Sequence, residues 1–236
     1  MSGKKKNENA GGLYIEPLLT RPDRVAIVAL GASSRSFLQE QMGNPGMDKP
    51  FDEVWTLNRG IRSFPHDKLF AMDDLRWLAQ RSKGYGNFLK SHDKPIITST
   101  VYPEFKNAVR YPYQEVLADI EDDIFNVNTV AYMVAYAIYT RVQELTIYGA
   151  DFFYPDSGDK SESGGQAVAY LLGMFKSLGM VHRLPGTTTL LYANKVREIR
   201  PGVMGRPPYG FHRIEQMKKD KAEKKKLKTE QKRSLK

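Results

Sequence analysis

The residues best suited to chemistry sit where apolar runs stop. Residues 25–35 read VAIVALGASSR, so Gly31, Ser33 and Ser34 follow a continuous apolar stretch at once. A glycine there permits a tight turn, and amides and hydroxyls opening a helix can donate to a phosphate or ribose. The same three residues also suit a plain turn with a serine cap. Asn58 closes the run EVWTL and precedes Arg59-Gly60, where a side-chain amide can read a base or a sugar hydroxyl, or simply make a turn. Asp73 closes KLFAM and can orient a hydroxyl or take its proton, while its neighbour Asp74 suits a helix cap. Asn128 and Thr129 open an apolar helix with Tyr132 one turn further along, so Thr129 and Tyr132 can face one ligand. Asp151 stands just beyond the run ELTIY, beside the aromatic residues Phe152, Phe153 and Tyr154.

Other chemistries find less support. There is no G-x-G-x-x-G and no G-x-x-x-x-G-K-[ST], so neither a standard dinucleotide fingerprint nor a P-loop is present. Gly31-Ala32-Ser33 lacks the G-x-S-x-G turn of serine hydrolases. The chain has no cysteine, which removes disulfides, thiolate nucleophiles and cysteine-bound zinc. His66, His92, His182 and His212 are scattered, with no H-E-x-x-H, and no metal site is assigned. Glu121-Asp122-Asp123 and Asp156-x-x-Asp159 suit a hard cation such as magnesium, or plain solvated loops.

The elements that must position these residues follow an alternating order. Strands are expected at 25–30, 53–57, 68–72, 95–99 and 144–148, and short final strands at 180–184 and 188–192 flank the turn Pro185-Gly186. Helices are expected over about 33–41, from Asp74 to about Lys83-Gly84, over 128–139, and from Gly164 to Leu178 with Gly179 closing it. Residues 103–127 show no regular pattern. Continuously apolar strands joined by helices predict an α/β fold, a Rossmann-like and largely parallel sheet flanked by helices in a single domain. In such sheets ligands lie at the carboxyl ends of the strands, where these polar residues gather.

Length and charge bound the rest. The 236 residues suffice for one domain with a real core, placed here at 13–200. The net charge of +9 resides at the ends: residues 213–236 hold eleven Lys or Arg against four Asp or Glu, and residues 1–12 hold three Lys and one Glu. The first twelve residues are expected to be disordered, 201–212 an extended Pro- and Gly-containing linker, and 213–236 a basic tail. Such ends either attract nucleic acid through salt-sensitive Coulomb forces or merely keep the chain soluble. Without a membrane span or secretory signal, the expected location is the cytoplasm, that of the host if the protein is phage-encoded.

Taken in order, VAIVALGASS, EVWTLNRG and NVNTVAYMVAYAIYTRVQELTIYGADFF resemble the core of bacterial sialyltransferases that use a CMP-activated sugar. They are also similar to the related motility-accessory and capsular transferase-like proteins and to small bacteriophage proteins of the same layout. The resemblance spans roughly residues 25–153 and is most specific in its last segment. It implies that Gly31, Ser33 and Ser34 match a glycine-rich first loop, Asn58 the second-strand asparagine, Asn128 and Thr129 the helix start, and Gly149, Asp151 and Phe152 a Gly-x-Asp-Phe segment. Ala32 and Val130 depart from the family pattern. The family's catalytic histidine lies downstream of that segment, where His182 is the candidate.

Two readings stand open. One is a glycosyltransferase-like enzyme that binds a nucleotide or nucleotide-sugar and transfers the activated group to an acceptor hydroxyl, with nucleic acid among the acceptors. Gly31, Ser33 and Ser34 would hold phosphate or ribose, Asn58, Asn128, Thr129 and Tyr132 the nucleoside, and Asp73, Asp151 or His182 would serve as base. The other is a non-enzymatic nucleic-acid-associated or virion protein that keeps a transferase-like fold.

Overall fold

Seven strands, all parallel, form one sheet in the order β5-β4-β3-β2-β1-β6-β7. The computed structural model describes residues 21–43, 50–152 and 159–191. These belong to one compact unit spanning residues 1–193. The expected N-terminal segment 1–12, the linker 201–212 and the basic tail 213–236 lie outside the described residues.

The strands are β1 (Arg24–Val28), β2 (Glu53–Leu57), β3 (Lys68–Ala71), β4 (Ile96–Thr98), β5 (Ala108–Arg110), β6 (Glu144–Tyr148) and β7 (Val181–Arg183). The helices are α1 (Ser34–Gly43), α2 (Leu75–Arg81), α3 (Lys83–Ser91), α4 (Tyr113–Ile120), α5 (Thr129–Tyr139) and α6 (Asp159–Ser177). The chain steps outward from β1 through β2, β3, β4 and β5, then returns across the sheet to place β6 on the other side of β1. Right-handed crossovers in opposite directions put their helices on opposite faces.

The core shows that division residue by residue. Ala26 and Val28 pack with Phe37 of α1, and Leu69, Ala71 and Ile96 pack with Leu75, Tyr85 and Leu89 of α2 and α3. The alternate residues Val25, Ile27, Trp55, Phe70, Ile97, Leu145 and Ile147 face α4, α5 and α6. Both faces of β1 are therefore covered, which explains its unbroken apolar sequence. In α5, Ala131, Ala135 and Ala137 are buried and let the helix lie close on the sheet.

Four expectations need correction. The helix after Asp74 is two helices, broken at Ser82, whose backbone is extended. A Cβ on Gly86 would lie 2.6 Å from the Ala79 Cβ, so this glycine lets α3 cross tightly over α2. Residues 103–127 contain β5, α4 and a short 3-10 turn at Ile124–Val127. β5 is a three-residue edge strand with little apolar pattern, and Pro112 precedes α4, so neither signals itself strongly in sequence. The strand expected at 188–192 is absent among its described residues, 188–191, of which 190–191 form a turn. α6 begins at Asp159, ahead of the expected Gly164, and β7 is the three-residue core of the expected 180–184 strand.

Candidate functional site

β1 has β2 on one side and β6 on the other, and the connections leave its neighbourhood in opposite directions, so its carboxyl end is the switch point at which open parallel sheets place a ligand crevice. Past the strand ends the backbone pairing continues. The Ala29 N–H donates to Tyr148 O at 2.8 Å and the Gly31 N–H to Gly149 O at 2.7 Å. The Gly149 N–H then donates to Ser33 Oγ at 2.8 Å, and the Ser33 N–H donates to Asp151 Oδ2 at 2.8 Å. Residues 29–33 and 148–151 thus form a four-bond clasp. It demands glycine twice: a Cβ at Gly31 would sit 2.5 Å from both Asp151 Oδ2 and Gly149 O, and Gly149, at φ +71°, would drive one to 2.3 Å from Ala29 O.

This clasp revises the part given to the first loop. Ser33 is buried, its amide donates to a carboxylate and its hydroxyl accepts an amide, both within the protein. Ser34 is buried as well, and its N–H donates to Gly31 O at 3.0 Å. In this arrangement the negative charge at the opening of α1 is supplied by Asp151. The other carboxylate oxygen of Asp151, Oδ1, is buried and has no hydrogen-bond partner among the described residues.

Asn58 follows directly on β2, the strand beside β1. It holds a left-handed conformation at φ 45°, and its Oδ1 is also buried without a partner among the described residues. Gly60 two residues on lies against Thr56 and Leu30, where a Cβ would be 2.3 Å from Thr56 Oγ1. Arg59 between them is exposed.

Asn128 caps α5: its Oδ1 accepts the Ala131 N–H at 2.9 Å and its Nδ2 donates to Gly164 O at 3.3 Å. Phe152, at φ 49°, rests on Gly164 and Gly165, where any Cβ would come within 3.1–3.3 Å of its ring or Cβ. Asn128 therefore ties the start of α5 to α6 beside the Asp151-Phe152 turn. Thr129, half-buried, is the first residue of α5. Helices between parallel strands begin at the carboxyl edge of the sheet, so Asn58, Thr129 and Asp151 share that edge with the clasp.

Three predicted residues are not brought to the tips of β1, β2 and β6, although Asp73 shares their edge of the sheet. Tyr132 packs edge-on against Tyr111 and Phe125, and its hydroxyl donates to Asn126 Oδ1 at 3.0 Å, which turns it into an aromatic cluster. His182 is level with Leu145 in the pairing of β7 with β6, three residues before the end of β6, and lies on the edge strand. Burial, with Lys176 of α6 second, lowers its pKa. Asp73 is exposed beyond β3, two strands from β1. With Arg59 it lies close enough to Tyr85 to influence that phenol, whose pKa burial pushes up to about 12. Asp74 caps α2 through the Trp77 N–H, as expected.

Two residues near the crevice were not legible beforehand. The Thr189 hydroxyl donates to Asp151 O, and Ser36 Oγ lies 2.8 Å from Thr187 Oγ1, so the segment after β7 crosses onto the clasp and α1. Their one signal is the run Thr187-Thr188-Thr189, which also fits a strand. The Gly164-Gly165 pair inside a helical pattern does signal a close approach, now filled by Phe152. Among the described residues no group of three or more His, Asp or Glu suits a metal ion, and no helix is long and apolar enough to cross a membrane. Asp122 Oδ1 accepts the Ile124 N–H of its own turn, and Asp156 lies outside the described residues.

The fold is α/β and Rossmann-like, one parallel sheet flanked by helices. Two solved structures of the sialyltransferase CstII from Campylobacter jejuni are similar to it. One, in complex with the substrate analogue CMP-3FNeuAc, has 16% sequence identity and a TM-score of 0.45 over 71% of this chain and 82% of that one. The other, with cytidine-5'-monophosphate, has 15% identity and a TM-score of 0.42 over 69% and 79%. No protein-family model matches the sequence, and no curated protein matches it.

Proposed function

We propose that this chain binds a nucleotide or nucleotide-sugar in the crevice at the tips of β1, β2 and β6 and transfers the activated group to an acceptor hydroxyl. One observation supports the reading: Asn58 Oδ1 on the β2 side and Asp151 Oδ1 on the β6 side are both buried and both lack a donor among the described residues. Leaving a buried acceptor unmade costs about 1–3 kcal/mol, so such atoms flanking a crevice point to a ligand that supplies the donors. Ribose hydroxyls and an exocyclic base amine are donors of that kind. The opening of α5 supplies the positive end of a helix for the leaving phosphate. Asp151, with one oxygen fixed by Ser33 and one unpartnered, takes the proton of the acceptor hydroxyl as its oxygen bonds to the transferred carbon and the bond to phosphate breaks.

Calorimetric titration with a panel of nucleotides and nucleotide-sugars tests the binding step. CMP-sugars head the panel because the similar structures hold CMP or a CMP-sugar analogue. Mass spectrometry of oligosaccharide and DNA acceptors tests transfer, DNA being included for the basic chain ends. Binding that weakens in Asn58→Gly and Asp151→Asn is the expected result. No binding, or binding indifferent to both changes, removes the site; binding with only free sugar released removes the transfer.

A further inference from the structure

Buried polar atoms without a partner gather along one edge of the sheet. Among the described residues they are Asn58 Oδ1, Tyr85 OH, Thr98 Oγ1, Asp151 Oδ1 and His182 Nδ1. Asn58 and Asp151 belong to the tips of β2 and β6. Thr98 is the last residue of β4, level with Ala71 of β3, and it faces α2 and α3 as Ile96 does two residues earlier. Tyr85 of α3 packs on that same face, in the cluster of Ala71, Leu75 and Ile96. Its phenol lies within electrostatic reach of Arg59, beyond β2, and Asp73, beyond β3, which turns its hydroxyl toward the carboxyl edge.

The row therefore runs past the tips of β1, β2 and β6. Neighbouring strands lie about 4.8 Å apart, so β6 to β2 spans about 10 Å and β2 to β4 about 10 Å more. Tyr85 is 3% exposed and Thr98 0%, and an unpaired buried hydroxyl is costly. Core packing alone would be served by Phe and Val at these positions, which fill nearly the same space and carry no polar atom. The rim around them is exposed and polar, with Arg59, Asp73, Ser99 and Thr100. The hydroxyls both donate and accept, Asp73 accepts and Arg59 donates. A neutral sugar, each of whose hydroxyls does both, answers that mixture. A phosphate brings acceptors and negative charge to the Asp73 carboxylate.

We propose that the Tyr85 and Thr98 hydroxyls, with Asp73 and Arg59 at the rim, bind a neutral sugar unit over the tips of β3 and β4. As the subsite of the acceptor, a role that rests on the transfer reading above, it lies beside the nucleotide and on the α2–α3 face. Both hydroxyls are covered from water, so the sugar enters as the exposed rim parts.

Ligand-observed NMR titration of the full-length protein with methyl glycosides of glucose, galactose, mannose and N-acetylglucosamine tests the subsite. At least one glycoside should bind, and Tyr85→Phe and Thr98→Val should each weaken it about fivefold, the loss that a neutral hydrogen bond of ordinary strength produces. Neither change removes a hydrogen bond within the described chain, so the melting temperature should hold or rise. A lower melting temperature in both variants overturns the proposal, because the hydroxyls are then satisfied inside the fold. A wild type that binds none of the glycosides overturns it too, as do variants that bind them equally well. Calorimetry with the nucleotide panel reads the neighbouring site separately. Nucleotide binding without glycoside binding sinks the subsite alone, whereas glycoside binding without nucleotide binding keeps the sugar contact and sinks its part in transfer.

Discussion

The Ser33 amide donates to the Asp151 carboxylate at 2.8 Å, joining the turn after β1 to the turn after β6 across 118 residues of chain. A backbone donor to an ionised acceptor is worth about 1.5–3 kcal/mol. Asp151→Ala should lower unfolding free energy by about that amount in a denaturant titration and abolish nucleotide binding. Unchanged stability would mean the clasp does not hold the strands.

Gly149 is the most constrained backbone position of the crevice. Gly149→Ala imposes a left-handed backbone and a contact of 2.3 Å with Ala29 O, so a loss of at least about 2 kcal/mol is expected from the two effects together. Thermal or urea unfolding checks it, with Gly173→Ala, an open position in α6, as the control that should hold or gain stability.

Asn58 separates fold from binding. Its φ of 45° suits glycine as well, so Asn58→Gly should leave stability within about 1 kcal/mol while removing the Oδ1 acceptor. Nucleotide affinity should fall with the fold intact by circular dichroism.

At the amino edge of β2 and β3, Lys68 and Glu53 form a buried ion pair, and Trp55 Nε1–H donates to the same Glu53 oxygen at 2.6 Å. Lys68→Met leaves a buried carboxylate without its ammonium, and about 3–5 kcal/mol should be lost. The Lys68→Met, Glu53→Gln double variant should lose clearly less than the two single changes summed, as a double-mutant cycle will read.

His182 supplies a pH dependence. Burial, then Lys176, lowers its folded pKa below the ordinary value of 6.5, so the unfolded chain takes up the proton first. Its contribution is therefore whole above that ordinary value and is lost as pH falls through the lower folded value. Melting temperature followed from pH 7 downward should decline, and the decline should be shallower in His182→Leu.

The parallel sheet was readable because VAIV, VWTL and LTIY lie in strands covered on both faces, and such strands announce themselves by composition. The Asn128 cap and Asp74 cap were readable from local spacing alone. What local spacing cannot carry is a bond across the sheet: Ser33 looks like a free helix opening until Asp151 arrives from far along the chain. Tyr132 shows the same limit, since its position one turn after Thr129 fits a shared ligand, yet Tyr111 and Phe125 claim the ring. His182 was placed by a resemblance in chain order, whereas the β6–β7 register fixes its height in the sheet.

The central position of β1 bears on how the molecule is made. Its residues leave the ribosome first among the described strands, yet Val25 pairs with Glu53 on one side and with Leu145 on the other. A nascent chain can assemble β1 through β5 while one side of β1 stays bare. Biosynthesis thus leaves this part of the sheet half-built until β6 emerges, and a chaperone meeting that intermediate finds an open apolar edge instead of a finished sheet.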